Sequence, residues 1–237
     1  MNYFSVTLTI LILFFVFKTR IIETFALKFI HIPKNAGTSI ENIAKKKNIE
    51  WGFLEWIKKG YKTGSNIFKI QTPWIYKPNN KEYNIQSNCF PWHQIPDELG
   101  REFIDKDDEL FCIVRNPYTK IVSAYKYSHK NPTKKGLNEF IKDKLNNFEK
   151  NKYWNGCHIL QQHLYTHGKI KCNHILKFEN LKPDFDSKMK EFNLDLQIEK
   201  VDNKSNSKLS MKDLDTESKK LIYKIYKKDF KLFNYKK

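Results

Sequence analysis

The residues best placed to do chemistry fall in two short stretches. The first is Ile32-Pro33-Lys34-Asn35-Ala36-Gly37-Thr38-Ser39. A turn of small residues running into a helix aims free backbone N–H groups at one point, which is how chains cradle anions. Lys34 can add a full positive charge there, and Thr38 and Ser39 can add hydroxyl donors. An ordinary strand-to-helix turn capped by Thr38 or Ser39 fits the same residues. A Walker A loop does not fit, because it needs Lys directly before the hydroxyl residue and Lys34 lies four positions ahead of Thr38. The second stretch is Arg115-Asn116-Pro117-Tyr118, with Ser123 two helical turns beyond Asn116. Only three of the 43 basic residues are arginine (Arg20, Arg101 and Arg115), so Arg115 is a planar phosphate fork in a lysine background. A strand-end arginine paired with a surface carboxylate is its plainer alternative.

The flanking patterns say which elements must position these groups. Ala26 to Ile32 is apolar apart from Lys28 and His31 and predicts a short buried strand, which Pro33 ends. From Ser39 the spacing of Ile40, Ile43 and Ala44 predicts a helix. Glu109 to Val114 predicts a second buried strand that delivers Arg115 at its carboxyl end, where open α/β sheets place ligands. Pro117 suits the first turn of the helix that follows. Asn173 to Phe178 predicts a third strand. Leu137, Phe140, Ile141 and Leu145 mark an amphipathic helix, and Leu221, Ile222, Ile225, Phe230 and Phe233 give the last helix its apolar face. The class is α/β, with a central, mainly parallel sheet flanked by helices.

With these residues in place, the chain resembles the Golgi-type carbohydrate sulfotransferases, the group that holds the heparan sulfate 2-O, chondroitin and dermatan enzymes. Residues 32–39 look like their 5′-phosphosulfate loop. Val114-Arg115-Asn116-Pro117-Tyr118 through Ser123-Ala124-Tyr125 is similar to their 3′-phosphate motif. Lys177-Phe178-Glu179-Asn180-Leu181 and Tyr226-Lys227-Lys228-Asp229-Phe230 echo further segments, so the likeness runs from Ala26 to Tyr235. It implies a P-loop-like sulfotransferase fold over residues 26–237 and transfer of a sulfuryl group from PAPS (3′-phosphoadenosine 5′-phosphosulfate) to a carbohydrate hydroxyl. Lys34, Asn35, Ala36, Gly37, Thr38 and Ser39 would then hold the phosphosulfate, with Lys34 also stabilising the leaving group. Arg115 and Ser123 would hold the 3′-phosphate, and no metal is called for.

Sulfuryl transfer to an alcohol needs a base for the hydroxyl proton, and imidazole suits that task. Related enzymes often place a histidine between the two PAPS motifs, and His93 alone lies in that interval. His31, on the first strand, is a rival read as packing, and Glu98 and Glu102 are fallback carboxylates. The aromatic-rich region Ile49 to Asn88 either builds an acceptor groove or packs as a lid. Gln161, Gln162 and His163 either line the acceptor site or belong to a surface helix. Lys204 or Lys208, in a polar loop, can close over the donor.

Met1 to Phe17 carries no charged side chain and reads as a membrane anchor within residues 1–25, at the short end of a spanning helix. The likeness to Golgi enzymes implies a signal-anchor with a lumenal catalytic domain, although Lys18, Arg20 and Lys28 favour the reverse orientation. The net charge of +17 suits polyanionic partners such as PAPS and an acidic glycan. No zinc spacing or nucleic-acid-binding signature is visible, so nucleic acid is set aside. The four cysteines (Cys89, Cys112, Cys157 and Cys172) show no zinc pattern, and Cys157 and Cys172 can pair if the domain is lumenal. A P-loop-type kinase, or a non-catalytic membrane-anchored polyanion-binding protein, are the alternatives.

Overall fold

The computed structural model describes residues 27–49, 51–52, 61–62, 74–76, 83–85, 89–99, 104, 106–199 and 205–237. The expected anchor, Glu102, Lys204 and most of the aromatic-rich region lie outside them. Among the described residues no helix is long and apolar enough to cross a membrane.

The chain runs β1 (Leu27–Ile30), α1 (Gly37–Lys46), β2 (Tyr61–Lys62), β3 (Trp74–Tyr76) and β4 (Tyr83–Ile85). A 3-10 turn (Pro91–His93), α2 (Pro96–Leu99), β5 (Glu109–Val114), α3 (Pro117–Ser128) and α4 (Lys134–Asn146) follow. Three short helical turns come next: α5 (Phe148–Asn151), α6 (Trp154–Cys157) and α7 (His163–Thr166). The chain ends with β6 (His174–Lys177), α8 (Leu181–Glu191) and α9 (Thr216–Leu232).

The central sheet has the order β1-β5-β6 and is parallel throughout, with Phe29 opposite Phe111 and Cys112 opposite Ile175. A separate antiparallel sheet joins β2, β3 and β4. The expected strands and helices therefore form, within a residue or two of their sequence bounds. Strand β5 alternates strictly. Leu110, Cys112 and Val114 enter one apolar cluster, and Phe111 and Ile113 enter another on the opposite face. Burial on both faces is what a parallel sheet covered by helices requires. A third cluster joins α3, α4 and α9 through Tyr118, Leu137, Ile141, Ile222 and Phe230. Trp51 is fully buried edge-on against Phe111, so this aromatic is core and not part of an acceptor groove.

The cysteines pair differently from the expectation. Cys157 is bonded to Cys89, and Cys172 packs its thiol against Cys112. The reason is topological: Cys172 sits just before β6, beside the middle of β5, whereas Cys157 lies in a turn facing the segment that leads to Pro91.

Buried polar groups tie α3 to the rest. Lys120 is fully buried and donates to the carbonyls of His158 (2.8 Å) and Leu160 (3.0 Å). Burial pulls its pKa down to about 7 against the opposing pull of Asp229. Asp229, also fully buried, accepts from the backbone N–H groups of Gln162 and His163 and from the His163 ring (2.7 Å). Lys120→Met should leave two carbonyls and a carboxylate without their cation, costing about 3–5 kcal/mol in denaturant unfolding. An unchanged midpoint would show that this network is dispensable.

Candidate active site

Strands β1 and β5 are neighbours and parallel, so their carboxyl ends deliver the two motifs side by side. Beyond β1 the turn reverses sharply, with Lys34 (φ 68°) and Ala36 (φ 66°) both left-handed. Helix α1 then starts at Gly37, with Ala36 in the N-cap position and no side-chain cap. Neither Thr38 nor Ser39 caps it. The Ser39 N–H turns back to the Ala36 carbonyl (2.9 Å), and the N–H groups of Gly37 and Thr38, which have no intrahelical partner, suit an anion. Gly37 has to be glycine, since a Cβ there would lie 2.0 Å from the His31 ring.

Asn35 does not face outward. Its side chain is buried and donates to the Ile113 carbonyl (2.7 Å) and to Oε1 of Gln162 (2.7 Å). The same Gln162 oxygen accepts from the Arg115 N–H (2.8 Å), and Gln162 Nε2 donates to the Arg115 carbonyl (2.8 Å). Gln162 is therefore a fully buried pin between the two motifs, neither an acceptor-lining residue nor part of a surface helix. Gln161 likewise turns to α9, donating to the Ile225 carbonyl.

The Arg115 guanidinium is held on three sides. Nε donates to Thr119 Oγ1 (3.0 Å), Nη1 donates to the Lys34 carbonyl (3.0 Å), and the group stacks 3.9 Å over the Phe178 ring. Burial lowers its pKa to about 10, while Glu179 and Tyr235 oppose the shift, so it stays charged. Glu179 accepts from the Asn116 N–H and the Tyr235 hydroxyl, joining the ends of β5 and β6 to the C-terminus.

A cavity of about 940 Å³ opens over these groups. Lys34, Ala36, Gly37, Thr38, His93, Arg115 and Ser123 all line it, so most of the expected site converges. Asn35 and Ser39, both buried, do not line it, and nor do Lys208 and Glu98, which are exposed. Lys126, and not Lys208, is the lysine on this side of the cavity among the described residues. It lines the cavity and donates to the carbonyls of Ser207 and Leu209, so the segment 205–211 closes one wall. Lys34 sits 3.6 Å over the Tyr127 ring, and burial with the nearby Arg115 charge lowers its pKa to about 7.

The opposite wall holds a cluster no motif announced. His93 packs edge-on to His31 (4.8 Å between ring centres) and lies 5.3 Å from His158. All three are buried. Among the described residues no three His, Cys, Asp or Glu side chains are arranged to hold a metal ion. Burial, then the neighbouring His31 and His158, push the His93 pKa well below its usual value, so its imidazole stays neutral. His93 Nδ1 donates to the Gly156 carbonyl (2.9 Å), which leaves Nε2 as an acceptor, the form a general base needs. His158 was hidden in the sequence because it lies 65 positions from His93, and tertiary contacts, the Cys89–Cys157 bond and the His93–Gly156 hydrogen bond among them, bring the two segments together.

A family model described as the sulfotransferase family matches residues 18–236. The chain belongs to the sulfotransferase family. No curated protein and no solved structure matches it significantly. For this sulfotransferase the family match supports sulfuryl transfer in general, and the geometry above supplies the detail.

Because Gln162 joins both motifs, Gln162→Leu should unpair Asn35 and the Arg115 backbone together. The expected loss is about 3 kcal/mol in stability. Wild-type stability, read from urea unfolding, would refute the pin.

Proposed function

We propose that this sulfotransferase moves a sulfuryl group from PAPS to a hydroxyl of a carbohydrate acceptor, an acidic glycan. One observation carries the reading: the Lys34 carbonyl accepts from Arg115, so the two motifs build one cationic site, with a neutral imidazole on its wall. The uncapped start of α1, Thr38 and Lys34 suit a phosphosulfate. Arg115, Ser123 and Lys126 suit a 3′-phosphate, and the charged fork selects it over a bare ribose hydroxyl.

In the reaction so assigned, His93 Nε2 takes the acceptor's hydroxyl proton as its oxygen bonds to sulfur. The bond from sulfur to the bridging oxygen breaks, and that oxygen leaves with the electron pair as part of PAP (3′-phosphoadenosine 5′-phosphate). Lys34 and the N–H groups of α1 stabilise the charge gathering there. The net charge of +17 favours encounter with polyanionic donor and acceptor alike. The Cys89–Cys157 bond supports an oxidising, lumenal setting, which agrees with an N-terminal anchor in a Golgi-type membrane.

Calorimetry with PAP, 5′-AMP and ATP–magnesium tests the donor site. PAP should bind tightest and without magnesium, and Arg115→Ala should weaken it roughly 30- to 100-fold. Preference for ATP–magnesium would favour a kinase instead. Binding should also be pH-linked through Lys34. Near and above pH 7 this lysine is losing its proton in the free protein, and an anion raises its pKa. PAP binding should therefore take up as much as about one proton, and affinity should fall as pH rises above 7. Lys34→Met should flatten that slope. With chondroitin, dermatan and desulfated heparan as acceptors, His93→Ala should lower kcat by roughly 10²- to 10⁴-fold and leave PAP affinity intact. Retained turnover would move the base elsewhere.

A further inference from the structure

The turn beneath the histidine cluster has an unusual backbone. Asn155 (φ 48°), Gly156 (φ 65°) and Cys157 (φ 77°) are consecutive left-handed residues, two of them not glycine. For the two residues that are not glycine such conformations cost of order 1–3 kcal/mol each and persist where the surroundings enforce them. Here the enforcement is visible. Cys157 is bonded to Cys89, Asn155 Nδ2 reaches the His158 ring, and a Cβ on Gly156 would lie 2.2 Å from the Phe90 ring.

The turn presents opposite groups to two rings. Its Gly156 carbonyl can only accept, so His93 Nδ1 must carry a proton and Nε2 a lone pair. Its Asn155 amide nitrogen can only donate, and it lies 2.8 Å from His158 Nδ1. That nitrogen must then hold the lone pair, and the His158 proton sits on Nε2. Among the described residues neither Nε2 has a hydrogen-bond partner, and both rings line the cavity.

We propose that the Asn155–Gly156–Cys157 turn locks His93 and His158 in opposite tautomers, making His158 a hydrogen-bond donor to the acceptor hydroxyl and not a second base. A hydroxyl at the shared edge of two rings 5.3 Å apart gives its proton to one and accepts from the other. This orients the oxygen's remaining lone pair, so the pair acts as a one-way gate for the proton. His158 is buried, and the positive groups Lys34 and Lys120, with His31, act on it; together they lower its pKa to about 2, consistent with a ring that never becomes a competing cation. The rings facing it are His93, Tyr127, Phe90 and Trp154. The donor role rests on the sulfuryl-transfer reading; the tautomers do not.

Long-range ¹H–¹⁵N spectra of the histidine rings in the full chain read the tautomers directly. The expected result is a protonated Nδ1 in His93 and a protonated Nε2 in His158, unchanged from pH 6 to 8. The same tautomer in both rings, or a His158 that titrates in that range, overturns the proposal. Asn155→Asp, which tolerates the left-handed backbone, should switch His158 to the Nδ1–H form and raise its pKa by at least about one unit. An unchanged His158 spectrum in that variant also overturns it. In transfer to the glycan acceptors, His158→Gln keeps an N–H donor and should retain kcat within roughly tenfold. His158→Leu should lose roughly 10²-fold, with PAP affinity unchanged in both. Equal kcat in the two variants rejects the donor role. If the wild type fails to bind PAP, the sulfotransferase mechanism falls, and the spectra still decide the tautomers.

Discussion

The site depends on one buried side-chain amide. Gln162 accepts from Asn35 and from the backbone of Arg115 with the same oxygen, and returns a hydrogen bond to the Arg115 carbonyl. A carboxamide suits this place because it offers both an acceptor and donors without a charge to desolvate. It holds the two strand ends at a spacing that lets the Arg115 guanidinium reach the Lys34 carbonyl. The anion site is then a product of this spacing and not of either loop alone. Asp229 secures Gln162 in turn by accepting from its backbone N–H, and so ties the pin to the C-terminal helix.

Charge is handled by burial more than by pairing. Lys34, Lys120 and Arg115 crowd one region, and each has its pKa lowered first by desolvation. A site held this way is electrostatically primed: an arriving polyanion relieves repulsion that the folded chain carries at rest. His93 and His158 show the same logic. Buried among cations, they stay neutral, which keeps a lone pair available for proton transfer. The disulfide and the left-handed turn at 155–157 aim those rings, and strain stored there is held by packing on every side.

The two motifs were legible because their chemistry is local. A strand, a turn of small residues and a helix start lie within a dozen positions around Lys34, and Pro117 marks the helix after Arg115. Periodicity located β1, β5, β6 and the long helices for the same reason. Asn35 and Ser39 show the limit of such a reading. Asn35 turns inward because a left-handed residue on either side of it changes which face of the chain it presents, and Ser39 because it falls on the buried face of α1. The pairing of Cys157, left open between Cys172 and no bond, went to Cys89, since residue spacing carries no information about which strand a thiol ends beside.

The sequence by itself determined the α/β class and placed the motifs around Lys34 and Arg115 at strand ends, since each follows from residue types within one or two turns of chain. His93 came only from the resemblance, as the one histidine between those motifs. Only the tertiary structure decided that Gln162 is a pin, that Lys126 lines the cavity where Lys208 does not, and that His158 joins His93. Those three are contacts between segments 47 to 127 positions apart. Their partners are chosen by how the parallel strands and the Cys89–Cys157 bond fold the chain back on itself, a choice that no local pattern encodes.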